Sequence, residues 1–182
     1  SGQDACFVGT PTTILPTTPN VATALAANAN VGFFGAADAH GLDAARLALS
    51  SPNTDGCNQG FLRSDAFLAI IMFSDADDNT TATVSGLVSY LDQIRPPVTS
   101  ATGNSIRSFS VSAMVVEDLA KPACQALGPF SEVGSKYIDA ANRTGGTIAS
   151  ICDADFSAGL INVGTKILEA TTAVRLDRVP DV

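Results

Sequence analysis

Three aspartates fall within four residues at Asp75-Ala76-Asp77-Asp78, directly after the apolar run Ala69-Ile70-Ile71-Met72-Phe73-Ser74. Carboxylates this close repel one another unless a cation, hydrogen-bond donors or water stand between them, so a divalent-metal site of hard oxygen ligands is the first chemistry they suggest. The alternative is a solvated loop whose acids and threonines, Thr80 and Thr81 included, cap the next helix. Both readings ask for the same scaffold. An apolar run without polar alternation suits a central parallel strand covered by helices on each side, and ligands in such folds gather beyond the carboxyl ends of the strands.

The elements that would position these acids follow from periodicity. Helical spacing is read over residues 21–28, with Asn20 as cap, and over 37–49, 83–94, 131–143 and from Phe156 to Leu168. Strand patterns cover residues 66–73, 109–115 and 147–151, the second with apolar residues alternating with Ser108, Ser110 and Ser112. Residues 7–19 are turn-rich, 61–64 read as a short helical lead-in, 98–106 as a polar loop, and 175–182 as an extended tail. Gly145-Gly146 closes the helix before the last strand. Alternating helices and strands imply an α/β fold, a three-layer, Rossmann-like, doubly wound and mostly parallel sheet with helices on both faces. Right-handed crossovers would gather Asp75 to Asp78, Glu117-Asp118 and Asp153 with Asp155 on one rim.

A length of 182 residues fits a single domain, with residues 1–30 as a lead-in, 31–175 as the core and 176–182 as a tail toward a further segment. Apolar content of 46% with 15% charged residues excludes a disordered chain, and a net charge of −8 excludes nucleic acid as a partner. Four cysteines allow three pairings, and their order suggests Cys6 with Cys57 and Cys124 with Cys152. With one histidine and no CxxC pair, a zinc site lacks ligands. Disulfides place the chain outside the cell, at the cell surface or in a periplasm, whereas four buried free thiols would suit a cytosolic protein. No run of about 20 apolar residues is present, so no transmembrane segment is expected. An opening Ser-Gly-Gln, without Met, fits a processed or partial polypeptide.

Four segments resemble the bacterial branch of the von Willebrand factor A domain family. They are Gly41-Leu42-Asp43-Ala44-Ala45, Gly60-Phe61-Leu62-Arg63-Ser64-Asp65-Ala66, Phe73-Ser74-Asp75-Ala76-Asp77-Asp78, and residues 137–146 continuing to Ile151-Cys152-Asp153. The resemblance implies a non-enzymatic module for adhesion or assembly, binding a protein ligand or other subunits through Mg²⁺ or Ca²⁺ on the upper rim. Matched to that family's site, Asp75 is the metal ligand from the third loop, Asp38 stands nearest the second-loop threonine position, and Asp77, a further metal candidate, supports the rim and caps the following helix together with Asp78. The family's first motif, Asp-x-Ser-x-Ser, does not occur in the chain. A complementary strand from another chain, or from the chain's own precursor, is therefore expected to complete the sheet. Alternatively the metal site is degenerate and the module is a structural subunit of a surface assembly. A third reading is a phosphatase resembling the haloacid dehalogenases, with Asp75 as nucleophile, Asp77 as acid and base, and Lys121 or Lys136 on the phosphate. His40 is read as an exposed side chain, and Arg63 and Asp65 as local structural support.

Overall fold

A computed structural model of the chain describes residues 5–30, 38–99, 103–129, 131–155 and 157–177, with side chains as far as residue 172 in the last segment. Two compact units result, residues 1–37 with 44–63, and residues 38–43 with 64–182. The turn at Gly32 and Gly35, the inward side of Phe156 and the tail beyond 177 lie outside the described residues.

The first unit holds α1 (Val21–Ala29) and the later turns of α2 (Gly41–Ala48). A Cys6–Cys57 bridge and the buried amide of Asn58 tie its two stretches of chain together. The Asn58 oxygen accepts from the Phe7 N–H at 2.8 Å, and its amide donates to the carbonyls of Ala5 and Ala48 at 3.0 and 2.9 Å. Phe7 and Phe61 meet edge to ring, 4.5 Å apart. Asn20 precedes α1 but does not cap it through its side chain: its backbone is left-handed at φ 51°, and capping needs an extended one.

The second unit is built on a parallel sheet in the order β1 (Leu68–Ser74), β4 (Phe109–Val115), β5 (Ile148–Ser150). Between β1 and β4 come α3 (Val84–Ile94) and a small antiparallel pair, β2 (Val98–Thr99) with β3 (Ser105–Ile106), where a polar loop was expected. After β4 follow a short α4 (Pro122–Gln125), not anticipated from periodicity, then α5 (Ser135–Thr144). The last helix, α6 (Ser157–Asp177), carries on through residues read as a tail. Residues 61–64 are not helical. The chain is thus a mixed α/β protein with a parallel sheet.

Local chemistry explains where the helices stop and start. Thr83 caps α3 by accepting the Gly86 N–H at 3.0 Å. Gly145 ends α5 in the left-handed conformation, φ 71°, that only glycine adopts freely. Next to it, a Cβ on Gly146 would lie 1.8 Å from the Val111 carbonyl oxygen, so the chain can turn into β5 only with glycine there. The Thr144 hydroxyl accepts from the Val111 N–H and donates to the Ala140 carbonyl, and Gly134 abuts Val115, which fixes α5 against β4. Gly159 of α6 lies against Ala149 and Met114.

The two longer strands differ in burial. β4 is buried at all seven residues, serines included, so its alternation of apolar residues with serine does not mark an exposed face. Its serines are small, and Ser112 accepts the Thr147 N–H; Ser108, just before the strand, donates to the Arg95 and Pro96 carbonyls. β1, the run expected to be covered on both faces, pairs only with β4 among the described residues. Its Ile71 and Phe73 remain 36% and 52% exposed.

Candidate functional site

Parallel pairing aligns Ser74, Val115 and Ser150 in one row at the carboxyl ends of β1, β4 and β5. The acids that follow each strand therefore leave the same edge of the sheet. Beyond β1, Ala39 bridges to Asp78 in parallel, with the Asn79 N–H donating to the Ala39 carbonyl at 2.8 Å. Residues 38–41 thereby join the acidic loop.

Asp78 is the hub of this rim. Its side chain is fully buried and accepts from the Leu42 N–H at 2.8 Å, the Thr80 N–H at 3.0 Å, the Thr80 hydroxyl and the Tyr137 hydroxyl at 3.3 Å. The Lys136 ammonium stands 3.8 Å away and donates to the Thr80 carbonyl at 2.8 Å. Burial by itself pushes the Asp78 carboxyl up, but the bonds from Leu42 and Thr80 and the charge of Lys136 together hold it below the ordinary carboxylate value. Burial first, then the charge of Asp78, push the Tyr137 phenol up to about 12. Tyr137 also accepts the Gly41 N–H at 3.2 Å, and a Cβ on Gly41 would sit 2.7 Å from that hydroxyl. Glycine at 41 is what lets α2 begin here.

The residues expected to hold a metal fare differently from one another. Asp77 accepts the Lys136 N–H at 2.9 Å, in the first turn of α5. Asp38 accepts the side-chain amide of Asn79 at 3.2 Å. Asp75 is exposed, and among the described residues no hydrogen bond or ion pair reaches its carboxylate; its backbone carbonyl accepts the Glu132 N–H. Among the described residues no group of three His, Cys, Asp or Glu is placed to hold a metal ion. Hard cations take six or more oxygens, so Asp75 with the already bonded Asp38 and Asp77 does not by itself compose a site for Mg²⁺ or Ca²⁺.

Of the lysines considered for phosphate, Lys121 pairs with Glu117 at 3.2 Å and Lys136 belongs to the Asp78 cluster. His40 is exposed beside Gly41, and Arg63 and Asp65 are exposed. Asp155 accepts the Ser157 N–H at 2.9 Å at the start of α6. Cys124 and Cys152 form the second bridge, packed with Val116 and Ile151 just beyond the ends of β4 and β5. Sequence reasoning assigned no role to Tyr137 in the site and only a supporting one to Asp78. The available signal was the pair Asp78 and Thr80, an aspartate two residues before a threonine, which forms a local turn able to bury a carboxylate. No known protein-family profile, curated protein or solved structure matches this chain.

Proposed function

We propose that this chain is a non-enzymatic, von Willebrand factor A-like module of a secreted or cell-surface protein, which assembles by accepting an extended strand from another polypeptide along the edge of β1 that carries no ladder among the described residues. In this reading the sheet belongs to a three-layer, Rossmann-like domain; α5 against Val111 and Val115, and α6 against Met114 and Ala149, support that arrangement. Two disulfides fit an oxidising compartment. Among the described residues no helix is long and apolar enough to cross a membrane.

The observation that carries the proposal is the state of β1. Seven residues, none charged and none proline, form a ladder on one side only among the described residues, with Ile71 and Phe73 exposed beside the unpaired edge. Natural edge strands are usually protected by charge, proline or bulges, and this one has none of them. An added strand would gain main-chain hydrogen bonds from the edge and specificity from pockets beside Ile71 and Phe73. The probe is a labelled peptide copying residues 68–74 with terminal lysines for solubility. Wild-type protein is expected to bind it, and Ile71→Lys to weaken binding at least tenfold while leaving the circular dichroism unchanged. Failure of the wild type to bind would reject strand addition.

The rim supports assembly without a resident metal, because Lys136 supplies positive charge beside Asp78 where a cation would otherwise be needed. One observation favours the metal-dependent alternative: the uncommitted carboxylate of Asp75, to which oxygens from outside the chain could add. That alternative predicts a rise in melting temperature with millimolar Mg²⁺ or Ca²⁺ that disappears in Asp75→Ala. Assembly without metal predicts the same melting curve with the ions or with a chelator.

A further inference from the structure

We infer that a cavity between α6 and the sheet, at the end opposite the acidic rim, binds a free α-amino acid with an apolar side chain. The cavity holds about 280 Å³, and its lining residues all belong to the second unit. Strand alternation and helix period place its walls. Met114 and Ala149 face α6, since Gly159 lies against both, and Ser110 shares their side of the sheet because it stands an even number of residues before Met114 on β4. The pairing of Leu68 with Phe109 turns Phe67 to that same side. On α6, Gly159, Val163, Lys166 and Ala170 follow one another at helical spacing along the inner side, and Val163 is buried. Ala170 and Ser110 both line the cavity, and two such small side chains leave the space between helix and sheet unfilled.

Ser110 is 6% exposed, and among the described residues its hydroxyl makes no hydrogen bond. The neighbouring Thr144 hydroxyl, by contrast, donates to the Ala140 carbonyl and accepts the Val111 N–H. A hydroxyl withdrawn from bulk water without a partner is costly, and a ligand atom in the cavity would supply one. Phe67 and Phe109 make part of the lining apolar, and the Arg107 guanidinium lies 5.1 Å over the Phe109 ring. Asp92 and the Arg143 carbonyl hold that guanidinium through three of its five N–H groups, so it is a positioned cation with donors to spare. Lys166 and Glu169 form an ion pair at 3.6 Å with side chains 56% and 64% exposed, a pair that is weak by itself.

Charge selects the class of ligand. In a chain of net charge −8, this lining carries two cations and one acid. A carboxylate alone would meet Glu169 as well as Lys166, and an amine alone would meet both cations. An α-amino acid carries both charges on one carbon, a spacing that matches the close pair of Lys166 and Glu169. Its carboxylate faces Lys166 and Arg107, and its ammonium faces Glu169 and the carbonyl end of α5 at Gly145, so neighbouring charges alternate in sign. A cavity at the small end of ligand sites suits an amino acid and is too small for a nucleotide.

Isothermal titration of the oxidised full chain with L-leucine tests the site. The comparison ligands each lack one part: isocaproate the ammonium, isoamylamine the carboxylate, and glycine the apolar side chain. Saturable binding of leucine is expected, with each of the others at least about tenfold weaker, because a site that pairs a polar group rejects a ligand without it. Lys166→Glu, at an exposed position, should weaken leucine binding about tenfold or more with unchanged circular dichroism. Ser110→Val, which fills the cavity and removes the hydroxyl, should act in the same direction, and Lys121→Ala, at the opposite end of the sheet, should leave binding unchanged. Absence of saturable leucine binding, equal binding of any of the three comparison ligands, or wild-type affinity in Lys166→Glu would overturn the inference.

Discussion

Replacing Asp78 with alanine is expected to lower the unfolding free energy by about 3 to 4 kcal/mol, because it strands several donors at once. The Leu42 and Thr80 N–H groups and the Tyr137 hydroxyl would lose an acceptor in a place water does not reach. Lys136 is about one-third exposed at its side chain and can turn toward solvent, which keeps the cost below that of a fully buried unpaired cation. For a chain of this size the midpoint of thermal unfolding should drop by roughly 10 °C. Asp78→Asn keeps one acceptor oxygen and should cost less. Acid supplies a second readout. A carboxyl whose folded pKa is depressed contributes stability that is present above its unfolded pKa and is lost as pH falls through the folded value. The melting temperatures of wild type and Asp78→Ala should therefore approach each other as the pH falls below the ordinary carboxylate range. A constant gap from pH 7 to pH 2 would show that Asp78 does not act as a buried anion.

Loss of the Cys6–Cys57 bridge should be of similar size but local to its unit. The bridge spans a sequence separation of 51. Removing a cross-link over a loop of that length costs about 4 kcal/mol by chain entropy. Little else holds the two stretches: among the described residues of that unit, only Leu49, Asn53 and Asn58 are buried. Small units with a poor apolar core depend on covalent staples. Limited proteolysis of a Cys6→Ser/Cys57→Ser variant should cut within residues 5–30 and the turns at 50–60 at protease levels that leave the wild type intact. The segment from β1 to α6, with its own Cys124–Cys152 bridge, should resist for longer. Equal protection of residues 5–30 in the variant and the wild type would contradict this dependence on the bridge.

Much of the fold was legible because periodicity and punctuation are local. The α3 helix ends where Pro96-Pro97 demands, Thr83 caps it, and Gly145-Gly146 separates α5 from β5. The shift of α5 from an expected start at Ser131 to Ser135 has a tertiary cause. Glu132 and Gly134 donate their N–H groups to the carbonyls of Asp75 and Val116, so these residues serve the strand ends and not the helix. The acidic loop was legible as a place and not as an arrangement. Its acids were read as ligands or as caps of the following helix, yet Asp78 reaches Leu42, 36 residues earlier, and Asp77 reaches Lys136, 59 residues later. Each joins the first turn of a distant helix, while α3 takes its cap from Thr83.

By itself the sequence determined the apolar periods, the turn and cap residues, and the presence of acids after each strand, since all of these depend on neighbours a few residues apart. Tertiary structure decided which carboxylates remain available and, among the described residues, which strand has a ladder on one side only. Whether an aspartate is free depends on which backbone N–H groups the crossovers bring to it, and an apolar run does not say whether it has a neighbour on one side or on two. That is why the run most easily read as a covered central strand is the one with Ile71 and Phe73 in water, while the serine-bearing β4 is the strand buried throughout.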